Sequence, residues 1–302
     1  MTARVRVLSI LLAASIVLAG CDTTPVVDEA AADPGTPAPA YADLAAAHNA
    51  RVANLRDIAC PIGTVELHWM EDEKERWAQG DAEMWIRLPR HTALRLSKLG
   101  DDLLWLGSDA ERYWLFDLLD DGVTLVTAAH DTPMSASGAG RIPARPLVLL
   151  DLLGITPLPT FESGGPTVAW DEEAGGWGFV VDSAAGRVRM VLDEPGRLPI
   201  RIDALDADEA AENAVIATSR LREYAPVPID GLSVLDHPLM AQVIQIEDRV
   251  GGRAEFFLRR WSGREEDRAR DQLFELDRLR RAMPPDRVFG ERAGEPDDAP
   301  PP

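Results

Sequence analysis

Apolar and polar side chains alternate along a succession of short segments in the first half of the chain. Val65, Leu67 and Trp69 alternate with polar neighbours, and the period of two recurs downstream. The later segments are residues 84–88, 94–97, 103–106, 113–116 and 123–127, and polar turns separate them at residues 71–76, 100–102, 108–109 and 120–122. Because successive side chains of a strand point to opposite faces, this pattern predicts half-buried strands joined by short turns. The first half is therefore expected to form an antiparallel meander.

The second half of the chain continues in the same style after a loop-like break at residues 134–140. Its predicted strands are residues 167–171, 176–182, 187–193, 199–205, 214–224, 241–248 and 254–261. Together the two halves predict a mainly β fold with antiparallel strands.

Two helices are predicted, one at the N-terminus of the domain and one between the two halves of the chain. Asp43 can cap an N-terminal helix that runs to about Ala59 and ends at Cys60-Pro61. Residues 145–153 form a second helix that is apolar almost all round, with Gly154 as its C-terminal cap. A helix of this kind must be buried on most sides, and a curved sheet that encloses it would satisfy that requirement.

Two further segments are ambiguous. Residues 206–213 have a helix-favouring composition between two strands. Residues 265–281 also look helical, with Ser262 and Glu265 at capping-box spacing, although residues 273–276 could equally be a last strand.

The N-terminus has the pattern of an export signal over residues 1–20. Arg4 and Arg6 precede an apolar run at residues 7–18, which as a helix would be about 18 Å long against a hydrocarbon core of about 30 Å. The stretch Leu18-Ala19-Gly20-Cys21 resembles the lipobox of bacterial lipoproteins. We therefore expect Cys21 to carry fatty acyl chains such as palmitate and to hold the protein at a membrane. An ordinary signal peptide that ends beside a cysteine is the alternative.

Composition sets the outer limits of the predicted domain. Residues 21–40 hold the lipidated Cys21 and a Pro/Ala-rich segment expected to be a flexible tether, and residues 291–302 form an acidic, Pro-rich tail expected to be disordered. Residues 41–290 are predicted to form a single domain.

We expect the domain to face the periplasm. Asp22 resembles an inner-membrane retention signal of enteric bacteria, a rule that varies between lineages, so inner or outer membrane stays open.

The charge balance and the motifs exclude several function classes. The chain has 51 Asp and Glu against 31 Lys and Arg, a net charge of −20, which disfavours nucleic acid as a partner. Local signatures of nucleotide-binding loops, zinc proteases and nucleophile elbows are missing. The five His lie at no metal-ligand spacing, and His130, next to Asp131, is interpreted as part of a polar turn. We expect no enzyme activity, cofactor or metal, although a hydrolase site assembled from distant residues stays an alternative.

Two residue sets have both structural and functional interpretations. Cys60 is expected to be a small buried residue. Four tryptophans on successive early strands could line an acyl groove or simply pack the sheet, and alternation places two of them on opposite faces: Trp69, Trp85, Trp105 and Trp114.

Several soft patterns resemble the outer-membrane lipoprotein carrier and receptor family, the LolA/LolB-like proteins. The likeness covers roughly residues 41–261. It rests on His48-Asn49-Ala50-Arg51 before the strand at residues 65–69, Pro89 before residues 94–99, Leu106-Gly107-Ser108-Asp109-Ala110-Glu111-Arg112-Tyr113-Trp114, Leu152-Leu153-Gly154 in the apolar helix, and Gly196-Arg197-Leu198-Pro199-Ile200.

The resemblance implies an unclosed antiparallel β-barrel, a half-barrel, with an N-terminal helix and the internal apolar helix as plug or lid. It also implies a non-enzymatic protein whose apolar concavity binds an acyl chain, a lipoprotein or a similar apolar ligand. The residues expected to contact that ligand are Leu67, Trp69, Met84, Ile86, Leu149 and Leu150. An envelope sensor or assembly partner that binds another protein is the alternative function.

Overall fold

Fourteen strands of the described residues form one sheet, accompanied by three α-helices. The computed structural model describes residues 37–71, 74–118, 122–130, 146–195, 197–206, 214–249, 251–267 and 271–290. The helices are α1 Tyr41–Val52, α2 Pro146–Leu152 and α3 Leu276–Ala282. The strands are β1 Asp57–Glu71, β2 Lys74–Arg87, β3 His91–Lys98, β4 Asp101–Ser108, β5 Arg112–Asp117, β6 Thr124–Ala129, β7 Ala169–Asp171, β8 Gly176–Ser183, β9 Gly186–Leu192, β10 Pro199–Leu205, β11 Val215–Pro226, β12 Leu239–Asp248, β13 Arg253–Phe257 and β14 Arg287–Gly290.

The strand order is that of two meanders joined side by side. It runs β14-β6-β5-β4-β3-β2-β1-β13-β12-β11-β10-β9-β8-β7. β1 pairs antiparallel with β13, with Val65 opposite Phe256, and this pairing joins the two halves. The order has two ends, so the sheet is not closed into a barrel. The predicted fold class, a mainly antiparallel unclosed half-barrel with helices, is confirmed.

The sheet curves around α2. This helix lies against β4 of the first meander and β10 of the second. The two strands are seven steps apart in the sheet order, which corresponds to about 33 Å along the sheet at ~4.8 Å per step. A helix is only about 10–12 Å across with its side chains, so it can contact both strands only if the sheet bends around it. We call the face that contacts α1 and α2 the concave face and the opposite face the outer face.

The predicted end of the first helix is wrong. α1 ends at Val52, and Ile58, Ala59 and Cys60 belong to β1, where they pair with β2. Asp43 lies in the first turn of α1, and the N-cap is Ala40, which makes no side-chain capping bond. The apolar spacing of these residues was helical, but strand pairing with β2 determined their conformation.

Pro61 lies inside β1 rather than after a helix. The register of the β1–β2 pair shifts between Cys60 and Gly63, which marks a bulge. Proline has no N–H for the ladder, and a bulge is one of the places in a sheet that tolerates it. Cys60 is fully buried beside this bulge, so the prediction of a buried cysteine is confirmed, although in a strand.

The C-terminal segment covers the outer face of the first meander. Residues predicted as one helix, 265–281, instead form short 3-10 helices at Glu265–Asp267 and Asp271–Phe274, followed by α3. The alternative strand at 273–276 is wrong as well, and Ser262 pairs with Ala59 instead of forming a capping box. β14, which the sequence did not predict, adds to β6 in parallel.

Residues of α3 pack on aromatic side chains of the outer face. Trp105, Trp114, Phe116 and Leu125 form a buried cluster with Leu276 and Leu279 of α3. Trp85 packs nearby against Phe274 and Ala93. Trp69 instead packs against the core of the concave face. The four tryptophans are therefore divided between two faces, as alternation predicted, and three of them pack under the C-terminal segment.

The packing of α3 yields a prediction about stability. Leu279→Ala removes a side chain that is only 7% exposed. It should lower the free energy of unfolding by about 2–5 kcal/mol because the cavity left behind cannot collapse completely. Urea denaturation measures this, with Leu235→Ala, at a position 94% exposed, as the matched control. Equal stability of the two variants would show that α3 does not pack as described.

Candidate functional site

α2 fills the concave face with an almost wholly apolar surface. All seven of its residues are buried, and Leu149 and Leu150 are each 2% exposed. Gly154 follows with a φ of 67°, a left-handed conformation that suits glycine and ends the helix as predicted. A Cβ at this position would also lie 3.0 Å from the Pro199 side chain. The prediction of a buried apolar helix with a glycine cap is thus confirmed for residues 146–154.

The structure brings the six predicted ligand-contact residues into one cluster. Met84 and Ile86 point inward from β2 and are fully buried, and Leu67 on β1 belongs to the same core. Leu149 and Leu150 of α2 complete this core, and the half-buried Trp69 packs at its margin. The concave face around these residues is therefore filled by apolar side chains of the chain itself.

Side chains of α1 hold the segment that directly follows α2, residues 154–159. The Tyr41 hydroxyl donates to the Pro159 carbonyl at 2.7 Å. The Asn49 side chain donates to the Leu158 carbonyl at 2.9 Å and accepts from the Leu158 N–H at 2.7 Å. These bonds span more than 100 residues of sequence, and they fix the segment after α2, but not α2 itself, to α1.

Two nitrogen-bearing side chains of α1 make further bonds to the same segment. His48 Nε2 donates to the Thr156 carbonyl at 2.9 Å. Arg51 donates through Nη2 to the Gly154 carbonyl and through Nη1 to the Leu239 carbonyl of β12, the latter at 3.0 Å. Residues 48–51 contribute to the family resemblance, but their sequence alone assigns them no role. The available signal was three polar side chains, His48, Asn49 and Arg51, close together near the C-terminal end of α1.

Burial controls the charge state of these groups. It lowers the pKa of His48 to about 3, and the nearby positive charge of Arg51 acts in the same direction. His48 is therefore neutral at physiological pH, with its proton on Nε2, where the carbonyl bond requires it. Burial also lowers the pKa of Arg51 from its usual range, but an arginine remains charged.

Asp151 places a carboxyl group inside this apolar core. Its Oδ2 accepts a hydrogen bond from the Ser183 hydroxyl of β8 at 2.5 Å. Burial raises the pKa of Asp151 to about 6, and the hydrogen bonds from Ser183 and Thr156 partly oppose that shift. At neutral pH the closed position of α2 therefore requires a costly buried carboxylate.

Two surface clefts lie apart from the six predicted ligand-contact residues. One, of about 430 Å³, is lined by residues around Gly63 and Phe257, and the other, of about 450 Å³, by residues around Trp170 and Val180. None of the six residues lines either cleft.

The described histidines show no arrangement for nucleophilic catalysis. His48 and His130 bond backbone carbonyls, and His68 bonds Glu75. No His of the described residues is hydrogen-bonded to a serine or cysteine side chain, so a nucleophile–base pair of that kind is not formed there. Within the same residues, no group of three potential metal ligands lies together, and no helix is long and apolar enough to cross a membrane.

Comparison with known proteins shows similarity in structure. No protein-family model matches the chain, and neither does any curated protein sequence. A DUF1329 family protein from Desulfovibrio piger has 11% identity and a TM-score of 0.48, over 78% of this chain and 96% of that chain. A domain assigned to outer-membrane lipoprotein sorting from Vibrio parahaemolyticus has 12% identity and a TM-score of 0.42, over 72% and 90%. A LolA superfamily protein from Nitrosomonas europaea has 12% identity and a TM-score of 0.43, over 77% and 98%.

The structural neighbours include members of the family named from the sequence. At these identities and TM-scores the likeness says nothing about the ligand or the mechanism of this chain.

The buried carboxyl group makes stability depend on pH in a defined direction. The pKa of Asp151 is about 6 in the folded state against the ordinary 3.8, so the folded state keeps the Asp151 proton to a higher pH than the unfolded state does. The stability that this proton supplies is complete below about pH 4 and is lost as the pH rises to about 6. Asp151→Asn should therefore gain stability relative to the native chain over this window, by an amount on the order of 3 kcal/mol.

Urea denaturation of both proteins across that pH range measures the effect. Ser183→Ala is the companion variant, because loss of its hydrogen bond should make the native pH dependence steeper. Parallel stability curves for the native chain and Asp151→Asn would contradict the burial of this carboxyl group.

Proposed function

We propose that this protein is a non-enzymatic, membrane-anchored binding protein that holds an acyl chain or the acyl part of a lipoprotein on its concave face. In this proposal α2 is a lid that occupies the site without ligand and leaves it when ligand enters. The observation that carries the proposal is the position of α2, which buries all seven of its residues between the two meanders. A ligand would replace it against Leu67, Trp69, Met84 and Ile86, whereas Leu149 and Leu150 would contact the ligand from the displaced lid.

The free energies of the two states are of similar size. Re-exposing the five large apolar side chains of α2 costs about 7–15 kcal/mol at ~1.5–3 kcal/mol each. Burying about fifteen methylenes of an acyl chain returns ~12 kcal/mol at ~0.8 kcal/mol each. Because the two quantities nearly offset each other, a long acyl chain can exchange with the helix, whereas a small apolar molecule cannot.

Polar groups around α2 favour exchange over a permanent core. The Asp151 carboxylate weakens the closed state at neutral pH, because burial opposes its charge. The bonds from Tyr41, His48 and Asn49 hold residues 156–159, which lie beyond the helix, so α2 itself is retained mainly by apolar contacts. Apolar contacts are non-directional, and an acyl chain can substitute for them.

The cell envelope is the proposed location, with the lipid on Cys21 as the anchor. Cys21 lies outside the described residues, and the proposal rests on the signal pattern of residues 1–20 and the lipobox-like Leu18-Ala19-Gly20 before it. The tether of residues 22–40 would then separate the domain from the membrane by a flexible connection. No nucleic acid or cofactor has a part in this function.

Replacement of the cysteine tests the anchor. Cys21→Ser removes the thiol that would take the lipid, and the protein should move from the membrane fraction to the soluble periplasmic fraction. Mass spectrometry of the native protein should show two or three acyl chains on its N-terminal peptide. Cys60→Ser is the matched control and should leave the protein in the membrane. An unmodified native Cys21 would contradict lipid anchoring but not ligand binding.

Weakening the lid should strengthen ligand binding. Leu149→Ala and Leu150→Ala should each lower the free energy of unfolding by about 2–5 kcal/mol, because both side chains are buried. They should also raise the apparent affinity for a fluorescent fatty acid, because the fraction of molecules with an open site increases. Urea denaturation measures the loss of stability, and titration of the probe into residues 22–302 of the native and variant proteins measures the affinity.

Variants of α3 separate the lid from general loss of stability. Leu276→Ala and Leu279→Ala remove buried leucines from the outer face and should destabilise the protein without a gain in affinity. If the α2 variants stay folded and gain no affinity over these controls, the lid mechanism is wrong. Crosslinking in native membranes to one discrete protein, instead of to many lipoproteins or lipids, would favour a sensor or assembly partner.

A further inference from the structure

Arg51 is a half-buried cation whose guanidinium meets backbone carbonyls instead of a carboxylate. It lies at the C-terminal end of α1, and its two terminal nitrogens donate to the carbonyls of Gly154 and Leu239. Its Nε is buried and has no hydrogen-bond partner. No carboxylate of the described residues forms an ion pair with it. An unpaired buried charge of this kind is costly, and proteins normally place an anion beside it.

The surroundings of Arg51 are polar, and the carboxylate of Asp193 acts electrostatically on Tyr224, which lies beside Arg51. The Tyr224 side chain of β11 lies close to it and donates its hydroxyl proton to the Pro199 carbonyl. His48, one turn earlier on α1, is neutral and leaves its Nδ1 buried without a partner. The unpartnered Nδ1 is an acceptor, because the proton of His48 lies on Nε2. This corner of the concave face, where α1 meets β10, β11 and β12, therefore holds the positive charge of Arg51 and one unused donor, its Nε.

Arg51 and His48 each have a hydrogen-bond partner in the segment that follows the proposed lid α2. The Gly154 carbonyl bonds Arg51 and the Thr156 carbonyl bonds His48, and both residues directly follow α2. When α2 leaves the concave face, the Gly154 carbonyl moves with the end of the helix. Arg51 then keeps the Leu239 carbonyl and has both Nη2 and Nε free, which are two donors on neighbouring atoms of one guanidinium.

Two parallel N–H donors fit the two oxygens of a carboxylate or phosphate group. We propose that the ligand is an amphiphile with one acyl chain and an anionic head group, and that Arg51 binds this head while the chain replaces α2. The inference rests on the proposed function and narrows its ligand class. The carboxylate of a free fatty acid and the phosphate of a phosphomonoester lipid share the required chemistry.

Matched ligands that differ only in the head group test the proposal. In the experiment, hexadecanoic acid, hexadecyl phosphate and 1-hexadecanol are each titrated against the uncharged dye Nile red bound to residues 22–302, at neutral to mildly alkaline pH. The native protein should bind the acid, the phosphate or both at least ~10-fold more tightly than the alcohol, because a charge-assisted bond replaces a buried unpaired donor. Whichever anion binds more tightly identifies the source of the head group.

Variants of Arg51 show whether this residue recognises the anionic head group of the ligand. Arg51→Gln should reduce the preference for the anions to less than ~2-fold while the alcohol still binds, and Arg51→Lys should retain part of the preference. Arg56→Gln, at an exposed position five residues away, is the matched control and should keep the full preference. If Arg51→Gln does not fold, the affinities for acid and alcohol are compared in the native and Arg51→Lys proteins. An equal preference for the acid in both proteins would then contradict the role of Arg51.

The outcomes separate the two proposals. Equal binding of acid, phosphate and alcohol by the native protein, or an unchanged preference in Arg51→Gln, would overturn the role of Arg51 and leave acyl binding intact. Failure of the native protein to bind Nile red and all three ligands would contradict the proposed function, and the inference with it.

Discussion

The need to bury α2 on all sides is the constraint on which the rest of the structure depends. Its sequence leaves no polar face for solvent, so one flat sheet could cover only half of it. Two meanders joined through β1 and β13 supply enough strands to bend around the helix. The same curvature creates an apolar concave face whose size is suited to the helix or to something that can replace it.

The buried polar groups distinguish this core from one built for stability alone. Asp151 lies within α2, and Arg51 of α1 bonds the Gly154 carbonyl just after α2 ends; neither forms an ion pair with a described residue of opposite charge. Apolar residues of similar size at these positions would avoid the cost of desolvation. In the proposed lid mechanism such groups would weaken the packed position of α2 or bind the ligand after α2 has moved, which would account for their cost.

Local patterns in the sequence were sufficient for most of the architecture. Alternation predicted thirteen of the strands that the structure describes, and the continuous apolar run with Gly154 predicted α2. Prediction failed where tertiary contacts decide conformation: the helical spacing through Ile58 was overridden by pairing with β2, and β14 forms only because β6 offers it an edge. The bonds from His48 and Arg51 to residues 154–156 connect positions about 100 apart, which no local pattern contains.

Hydrogen exchange of the α2 amides tests the central claim most directly. Bound hexadecanoic acid should speed exchange in residues 147–155, because the helix gives up its packed position. In β1 and β2, where the ligand would replace α2, the bound acid should slow amide exchange or leave the exchange rate unchanged. Slower or unchanged exchange in α2 with ligand demonstrably bound would contradict the account, because the helix would then be permanent core and the ligand would lie elsewhere.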